Sequence, residues 1–186
     1  MSRERSSTGV AHRHVRRRCT AGGADVRPPA PMTDCLLMCS YCGCESVEVI
    51  GRFMAEHVEI INANGDLRRA VEHGVAAEVR AAAERLAGLL SPHTEAEEVG
   101  LFAVMARDDE FAEHVARLCA EHTSLDARLG EIAAGRWDGM GDFERALRDH
   151  IDREENGLFP AAAIAFAGPE WSEVDELTPV ARGATG

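Results

Sequence analysis

The chain has 186 residues, of which 45% are hydrophobic and 28% are charged, and its formal net charge is -12. These proportions are typical of a folded globular protein and exclude a chain that is disordered throughout. The acidic charge argues against nucleic acid or an anionic membrane as the main partner, and the apolar runs are too short for a transmembrane helix. We therefore expect one domain of ordinary size, located in the cytoplasm.

Residues 1–37 differ in composition from the rest of the chain. They carry seven Arg and three acidic residues, for a net charge of +4, whereas residues 38–186 carry a net charge of -16. The segment is rich in Ser, Gly and Pro and has no periodic apolar pattern, which predicts a disordered N-terminal extension. A second interpretation is that translation starts at Met32 or Met38, so that the upstream residues come from a wrongly assigned start. A basic targeting arm is a third.

A cysteine-rich motif follows at residues 38–45, where Cys39, Cys42 and Cys44 lie within six residues. Together with Cys35 they would form a set of four thiolates, suited to zinc or to an iron–sulfur cluster. Without Cys35, the Cys-x-x-Cys spacing of Cys39 and Cys42 favours a redox pair. A flexible thiol-bearing segment with no fixed role is the third interpretation. We therefore regard these cysteines as a possible second metal or redox site.

Residues 46–167 are predicted to be helical almost throughout, because Pro occurs there only at positions 92 and 160. Gly and Asp residues divide the region into four amphipathic segments, at about 46–73, 75–107, 108–135 and 142–167. Four such helices with short connections predict an all-α domain, an up-down-up-down four-helix bundle. Residues 168–186 mix Pro, Gly and acidic residues, and we expect a frayed C-terminal tail.

A ten-residue motif occurs twice in this region. Residues 93–102 and 150–159 both read His-x-x-x-Glu-Glu-x-Gly-Leu-Phe, and Ala-Glu-His precedes each copy at residues 55–57 and 120–122. One unit, a lone His in one helix followed by His-x-x-x-Glu in the next, is therefore repeated. The repeat predicts two helical hairpins related by a pseudo-twofold axis.

The spacing within the repeat predicts a metal site. Residues four apart lie on one helix face, so each His-x-x-x-Glu pair can bind one ion, and the two lone histidines lie among apolar residues that face the core. Burying these imidazoles and carboxylates without a cation would be costly. Two ions about 3.5–4 Å apart, bridged by the carboxylates, would remove that cost. The predicted metal ligands are His57, His93, Glu97, His122, His150 and Glu154.

Two interpretations without a metal stand beside this one. A single His-x-x-x-Glu pair is most often a surface ion pair, and a lone His is most often a core residue with an ordinary hydrogen-bond partner. A plain helical adaptor would leave the duplication in symmetric register unexplained. The duplication therefore favours the metal site.

These motifs resemble the hemerythrin-like, or HHE cation-binding, domain family over about residues 46–167. The matching residues are His57, His93-x-x-x-Glu97, His122, His150-x-x-x-Glu154 and the following Leu158-Phe159-Pro160. The resemblance implies a left-handed four-helix bundle with a non-haem di-iron centre. It also implies that His57 and His93 bind one iron, that His122 and His150 bind the other, and that Glu97 and Glu154 bridge them.

One departure from the family bears on the activity. Oxygen-carrying hemerythrins have a fifth His one turn before the third-helix ligand, where this chain has Leu118. His114 lies roughly 12 Å from His122 along the helix axis, too far to replace it. The resemblance then implies an open iron position, and it favours sensing or turnover of oxygen, nitric oxide or peroxide over reversible oxygen carriage. Glu98 and Glu155 are expected to be solvated or to orient a ligand imidazole.

Two hypotheses for the function follow. The first is a protein with two iron ions that binds or reacts with a small diatomic ligand or peroxide, with no catalytic side chain apart from the metal ligands. The second is a metal-stabilised regulatory or interaction module without turnover, whose protein partner the sequence does not identify. Imidazole and carboxylate suit iron, manganese and zinc alike, so the choice of iron depends on the resemblance.

Overall fold

A computed structural model describes Cys44 and residues 47–179, and within them the only regular structure is helical. The all-α prediction is confirmed for these residues. The N-terminal extension and Cys39 and Cys42 lie outside the described residues. No helix in the described part of the chain is both long enough and apolar enough to cross a membrane.

The helical segments are α1 (Glu48–His73), α2 (Ala76–Glu97), a π-helix π1 (Glu98–Phe102), α3 (Ala103–Met105), α4 (Asp109–Ala133), a 3-10 turn (Trp137–Gly139), α5 (Met140–Arg153), a second π-helix π2 (Glu154–Leu158), α6 (Phe159–Ala165) and α7 (Gly168–Leu177).

Local sequence signals explain where the helices begin and end. Gly74 ends α1 in the left-handed conformation, with φ of 75°, and its N–H donates to the carbonyls of Ala70 and Val71. Glycine favours this position because it has no Cβ. Asp108 caps α4, since its carboxylate accepts a hydrogen bond of 2.9 Å from the N–H of Glu110.

The helices enclose two apolar layers with polar side chains between them. α1 packs against α2 and α5, and α4 also packs against both α2 and α5. Along α1, the first apolar layer ends at Met54 and the second begins at Ile60, so His57 lies between them. Burying the two layers contributes most of the stability of such a domain.

The prediction of a frayed tail is wrong for residues 168–177, which form α7. Pro at the first turn is compatible with a helix start, and the Glu170 carboxylate accepts a hydrogen bond from the N–H of Ala167 at 3.0 Å. Val174 is completely buried, and α7 packs against π1 and α3. The buried apolar contact explains why this segment is ordered despite its content of Pro, Gly and acidic residues.

Candidate metal centre

The structure brings the six predicted residues together in one buried polar cluster. They come from α1, α2, α4, α5 and the start of π2, and each is at most 4% exposed. The cluster consists of His57, His93, Glu97, His122, His150 and Glu154. The duplicated motif therefore identified side chains that are neighbours in the fold.

The four imidazoles present their Nε2 atoms to the two central carboxylates. Glu154 lies 3.1 Å from His150 Nε2, 3.2 Å from His57 Nε2 and 3.6 Å from His122 Nε2. Glu97 lies 3.3 Å from His93 Nε2, 3.5 Å from His122 Nε2 and 3.8 Å from His57 Nε2. Each carboxylate thus faces histidines of both repeats, as a bridging group must.

These atoms form two overlapping groups with the spacing of metal ligands. In each group one possible ligand atom per residue lies within 4.8 Å of all the others. The first group contains His57, His93, Glu97 and Glu154, and the second contains His122, His150 and Glu154. Only Glu154 belongs to both groups, so the first group offers four residues and the second offers three.

The polar atoms at the centre of the cluster lack hydrogen-bond partners among the described residues. These atoms are the Nε2 of His57, His93 and His122 and both carboxylate oxygens of Glu97 and Glu154. Buried polar groups are nearly always satisfied, and an unsatisfied carboxylate is especially costly. One or two cations among these atoms would satisfy them, so the donor set fits a metal centre.

Each histidine of the cluster also contacts an outer glutamate through its other ring nitrogen. The Nδ1–carboxylate pairs are His57 with Glu155 at 2.9 Å, His93 with Glu56 at 2.8 Å, His122 with Glu98 at 2.8 Å and His150 with Glu121 at 3.0 Å. A carboxylate at Nδ1 holds that nitrogen protonated and leaves Nε2 free to bind a metal. This role was expected for Glu98 and Glu155, whereas that of Glu56 and Glu121 was not. The signal for them was the Ala-Glu-His triplet that precedes each copy of the motif.

The outer glutamates are held in different ways. Glu56 accepts a hydrogen bond of 2.7 Å from Arg52. Glu121 accepts a hydrogen bond of 3.1 Å from Nε of Arg153, whose Nη2 also forms an ion pair with it at 3.0 Å. The side chain of Glu155 is 9% exposed, whereas that of Glu98 is 41% exposed. The glutamate that contacts His57 is therefore shielded from water, and the glutamate that contacts His122 is not.

The two π-helices lie at equivalent places in the repeat. Glu97 and Glu154 each stand at the point where regular α-helix gives way to a π-helix of five residues. A π-helix widens the turn, and such insertions are common at functional sites. In π2 both Glu154 and Glu155 are buried, so two adjacent glutamates contact the cluster from one helix.

The carboxylates determine the charge of the imidazoles in the absence of a metal. Burial by itself lowers the pKa of a histidine, but Glu154 and Glu155 outweigh it and raise the pKa of His57 to about 9. For His93, burial is outweighed by Glu97 and Glu56, and the pKa rises to about 10. Burial acts to raise the pKa of Glu154, yet the three facing histidines hold it well below its usual value. Without metal, His57 and His93 are therefore charged and face the carboxylates at ion-pair distance without hydrogen-bond geometry, and a bound cation has to displace their protons.

Aromatic rings cover the imidazoles in both repeats. The ring of Phe159 stacks on His57 with centroids 5.9 Å apart, and that of Phe102 stacks on His122 at 5.6 Å. Leu118 is completely buried in the apolar layer next to the cluster. These side chains limit the access of water to the cluster.

The cysteine motif is described only at its last member. Cys44 is buried in the apolar layer that also contains Phe53 and Phe102, while Cys39 and Cys42 lie outside the described residues. The possible second metal or redox site therefore stays a prediction.

Comparison with known proteins identifies the family. Residues 48–162 match the family model of the hemerythrin HHE cation binding domain, which covers more than half of the chain. The chain therefore belongs to this family, as the duplicated motif predicted. No curated protein and no solved structure matches the chain significantly.

Proposed function

We propose that this protein holds a non-haem di-iron centre that binds or reacts with oxygen, nitric oxide or peroxide. The observation that supports the proposal is the buried set of Nε2 atoms and carboxylate oxygens without hydrogen-bond partners, arranged as two overlapping groups. Membership of the hemerythrin family supports a metal ion, which in that family is typically iron. The cytoplasmic setting and the left-handed up-down-up-down arrangement of four helices are part of the same proposal.

The ligands are assigned from the two groups. His57, His93 and Glu97 would hold the first ion, His122 and His150 would hold the second, and Glu154 would be shared between them. Glu97 also lies 3.5 Å from His122 Nε2, which supports a second bridge. Imidazole and carboxylate ligands suit manganese and zinc as well, so the choice of iron depends on the family.

The residues of the chain have separate tasks in this proposal. Bound iron supplies the redox chemistry and the open coordination positions. The outer glutamates hold each Nδ1 protonated and orient each Nε2 toward the centre. Phe102, Phe159 and Leu118 exclude bulk water, which strengthens the electrostatic interactions inside the cluster. The second position has fewer protein ligands, so we propose that a small ligand binds there.

The reaction with small ligands tests this function. The full chain is loaded with ferrous iron without oxygen and then exposed in turn to air, peroxide and nitric oxide. The proposal expects ligand-dependent absorption changes that His57→Ala and Glu154→Ala abolish. Surface His73→Ala serves as the control, because that imidazole is 70% exposed and remote from the cluster in sequence. Spectra that do not respond to any of the three reagents would contradict the proposal.

A metal-stabilised interaction module is the second candidate. The buried charges of the cluster favour it, because a fold that buries such groups depends on its cation for stability. This candidate expects a large rise in Tm on metal binding, no turnover, and a protein partner that binds only the loaded form. Reaction of the loaded protein with peroxide or oxygen would decide against it.

A further inference from the structure

His114 has a buried nitrogen that the metal cluster does not use. Its Nε2 atom is shielded from water and has no hydrogen-bond partner among the described residues. Its Nδ1 atom lies 3.1 Å from an Nη2 of Arg117. A guanidinium only donates hydrogen bonds, so Nδ1 of His114 is the acceptor and the ring proton of the neutral imidazole lies on Nε2. The molecule thus contains a buried N–H donor without an acceptor.

This donor faces the π-helix that begins with Glu154. His114, Leu118 and His122 are four residues apart on α4 and therefore share one helix face. Leu118 is apolar, so His114 is the next polar side chain along that face beyond His122. A Cβ placed at Gly157 would lie 4.0 Å from His114 Nε2, and Gly157 belongs to the same π-helix as Glu154.

The equivalent place in the other repeat is filled differently. The repeat relates Gly157 to Gly100, where a Cβ would overlap the hydroxyl oxygen of Thr178 from the segment after α7. Thr178 donates that hydroxyl to the carbonyl of Val174 at 2.7 Å, so its hydrogen bond is already made. A donor without an acceptor therefore faces π2, the helix that begins with Glu154. At the equivalent place in π1, the donor already has its hydrogen bond.

We propose that His114 donates a hydrogen bond from Nε2 to a small anionic ligand bound at the second metal position, which Leu118 leaves short of one protein ligand. The proposal depends on the di-iron centre proposed above. The axial separation of roughly 12 Å between residues 114 and 122 excludes coordination by His114 of the ion that His122 would hold. The chemical class is a compact anion with a terminal acceptor atom, and azide is the probe.

Azide binding to the iron-loaded, air-oxidised full chain tests this role. We expect His114→Leu to weaken azide binding about five- to tenfold, the effect of one hydrogen bond, with iron content and Tm unchanged. His114→Gln retains an N–H donor and should recover most of the affinity. His73→Leu is the matched control, because it removes an exposed imidazole and should leave azide binding unchanged.

A second measurement tests the tautomer of His114 directly and does not depend on whether a variant folds. The ¹⁵N shifts of His114 in the metal-free protein should show a protonated Nε2 and an unprotonated Nδ1, and the reverse would overturn the proposal. Equal azide affinity in wild type and His114→Leu, or no azide binding to a chain that holds two irons, would also overturn it. A chain that does not take up iron would instead overturn the proposed function, so the two failures are distinguishable.

Discussion

The half of the cluster around His57 and His93 differs from the half around His122 and His150, although one duplicated motif built both. The first half has a group of four possible ligand residues, and its outer Glu155 is nearly buried. The second half has a group of three, and its outer Glu98 is largely exposed. The duplication gives the two halves matching histidines and glutamates, and different residues at equivalent positions make the halves unequal.

The apolar residues next to the cluster also differ between the two halves. Phe53 of the first repeat corresponds to Leu118 of the second, and both are completely buried. The Phe53 ring packs edge-on against His93 with centroids 5.6 Å apart. Leu118 has a smaller side chain than Phe53, so less apolar volume packs beside His122. The second half therefore has the smaller apolar side chain, and it is where we propose that a small ligand binds.

The largest predicted effect separates the two central carboxylates. Glu154 belongs to both groups and Glu97 to the first alone, so Glu154→Gln should lose more iron than Glu97→Gln, although Glu97 also faces His122. Iron per chain, measured by elemental analysis after desalting, gives the answer. Glu95→Gln is the matched control, because Glu95 is an exposed residue of the same helix. Equal losses in the Glu154 and Glu97 variants would contradict the assignment of a shared ligand.

The metal-free protein should lose several kcal/mol of stability as the pH rises from about 6.5 to 10. The pKa values of His57 and His93 are raised to about 9 and about 10 in the folded state. Their stabilising charge is complete below the unfolded pKa of roughly 6.5 and is lost as the pH rises through the folded values. Urea unfolding at a series of pH values measures this loss.

The pH dependence of metal binding should have the opposite sign. A metal must displace the protons of the imidazoles, so its affinity should rise over the same pH range. His93→Gln should flatten the high-pH loss of stability in the metal-free protein. A metal-free stability that is constant between pH 6.5 and 10 in the wild type would contradict the ion-pair description of the cluster.

The outer carboxylates should differ according to their exposure. Glu155→Gln removes a nearly buried partner of His57 and should weaken metal binding about 10- to 100-fold. Glu98→Gln removes a partner that is 41% exposed, and water can replace it, so the loss should be less than about tenfold. Competition with a chelator measures both affinities. A larger loss of metal affinity in Glu98→Gln than in Glu155→Gln would contradict this prediction.

The two repeated glycines should respond differently to alanine. A Cβ at Gly100 overlaps Thr178, so Gly100→Ala should destabilise the protein by about 1–3 kcal/mol. Gly157 has room for a Cβ, and alanine has the better helix propensity, so Gly157→Ala should be neutral or stabilising by up to about 1 kcal/mol. Thermal unfolding of both variants tests the difference. Thr178→Ala should recover part of the loss in Gly100→Ala if the hydroxyl is its cause.

The smallest effect is expected at Asn64, far from the cluster along α1. Asn64 is completely buried, and neither its amide nitrogen nor its carbonyl oxygen has a partner among the described residues. The repeat relates it to Leu129, which is buried in the second apolar layer. Asn64→Leu should therefore stabilise the protein by about 1 kcal/mol. A fall in Tm, with Leu67→Met as a control for packing, would show that leucine does not fit there.

The six central residues were predictable because the motif is duplicated. A single His-x-x-x-Glu pair carries little information, but two copies in register identify four imidazoles and two carboxylates that share an interior. Family membership confirms the resemblance. The resemblance also predicts which half lacks a fifth histidine, since Leu118 occupies that position.

Other features depend on geometry that the sequence pattern does not express. A π-helix changes the register of one turn by a single residue, which helical periodicity over 11–18 residues does not resolve. The roles of Glu56 and Glu121 follow from contacts between helices, His93 with Glu56 and His150 with Glu121. α7 was missed because its composition is that of a tail, while its order depends on the burial of Val174.

The metal content of the full chain tests the central claim most directly. The protein is loaded with ferrous iron without oxygen, exposed to air, desalted, and analysed for iron per chain together with its near-ultraviolet absorption. The proposed centre predicts about two irons per chain and the near-ultraviolet bands of an oxo-bridged pair. Less than one iron per chain, or zinc in its place, would contradict it and favour the metal-stabilised interaction module.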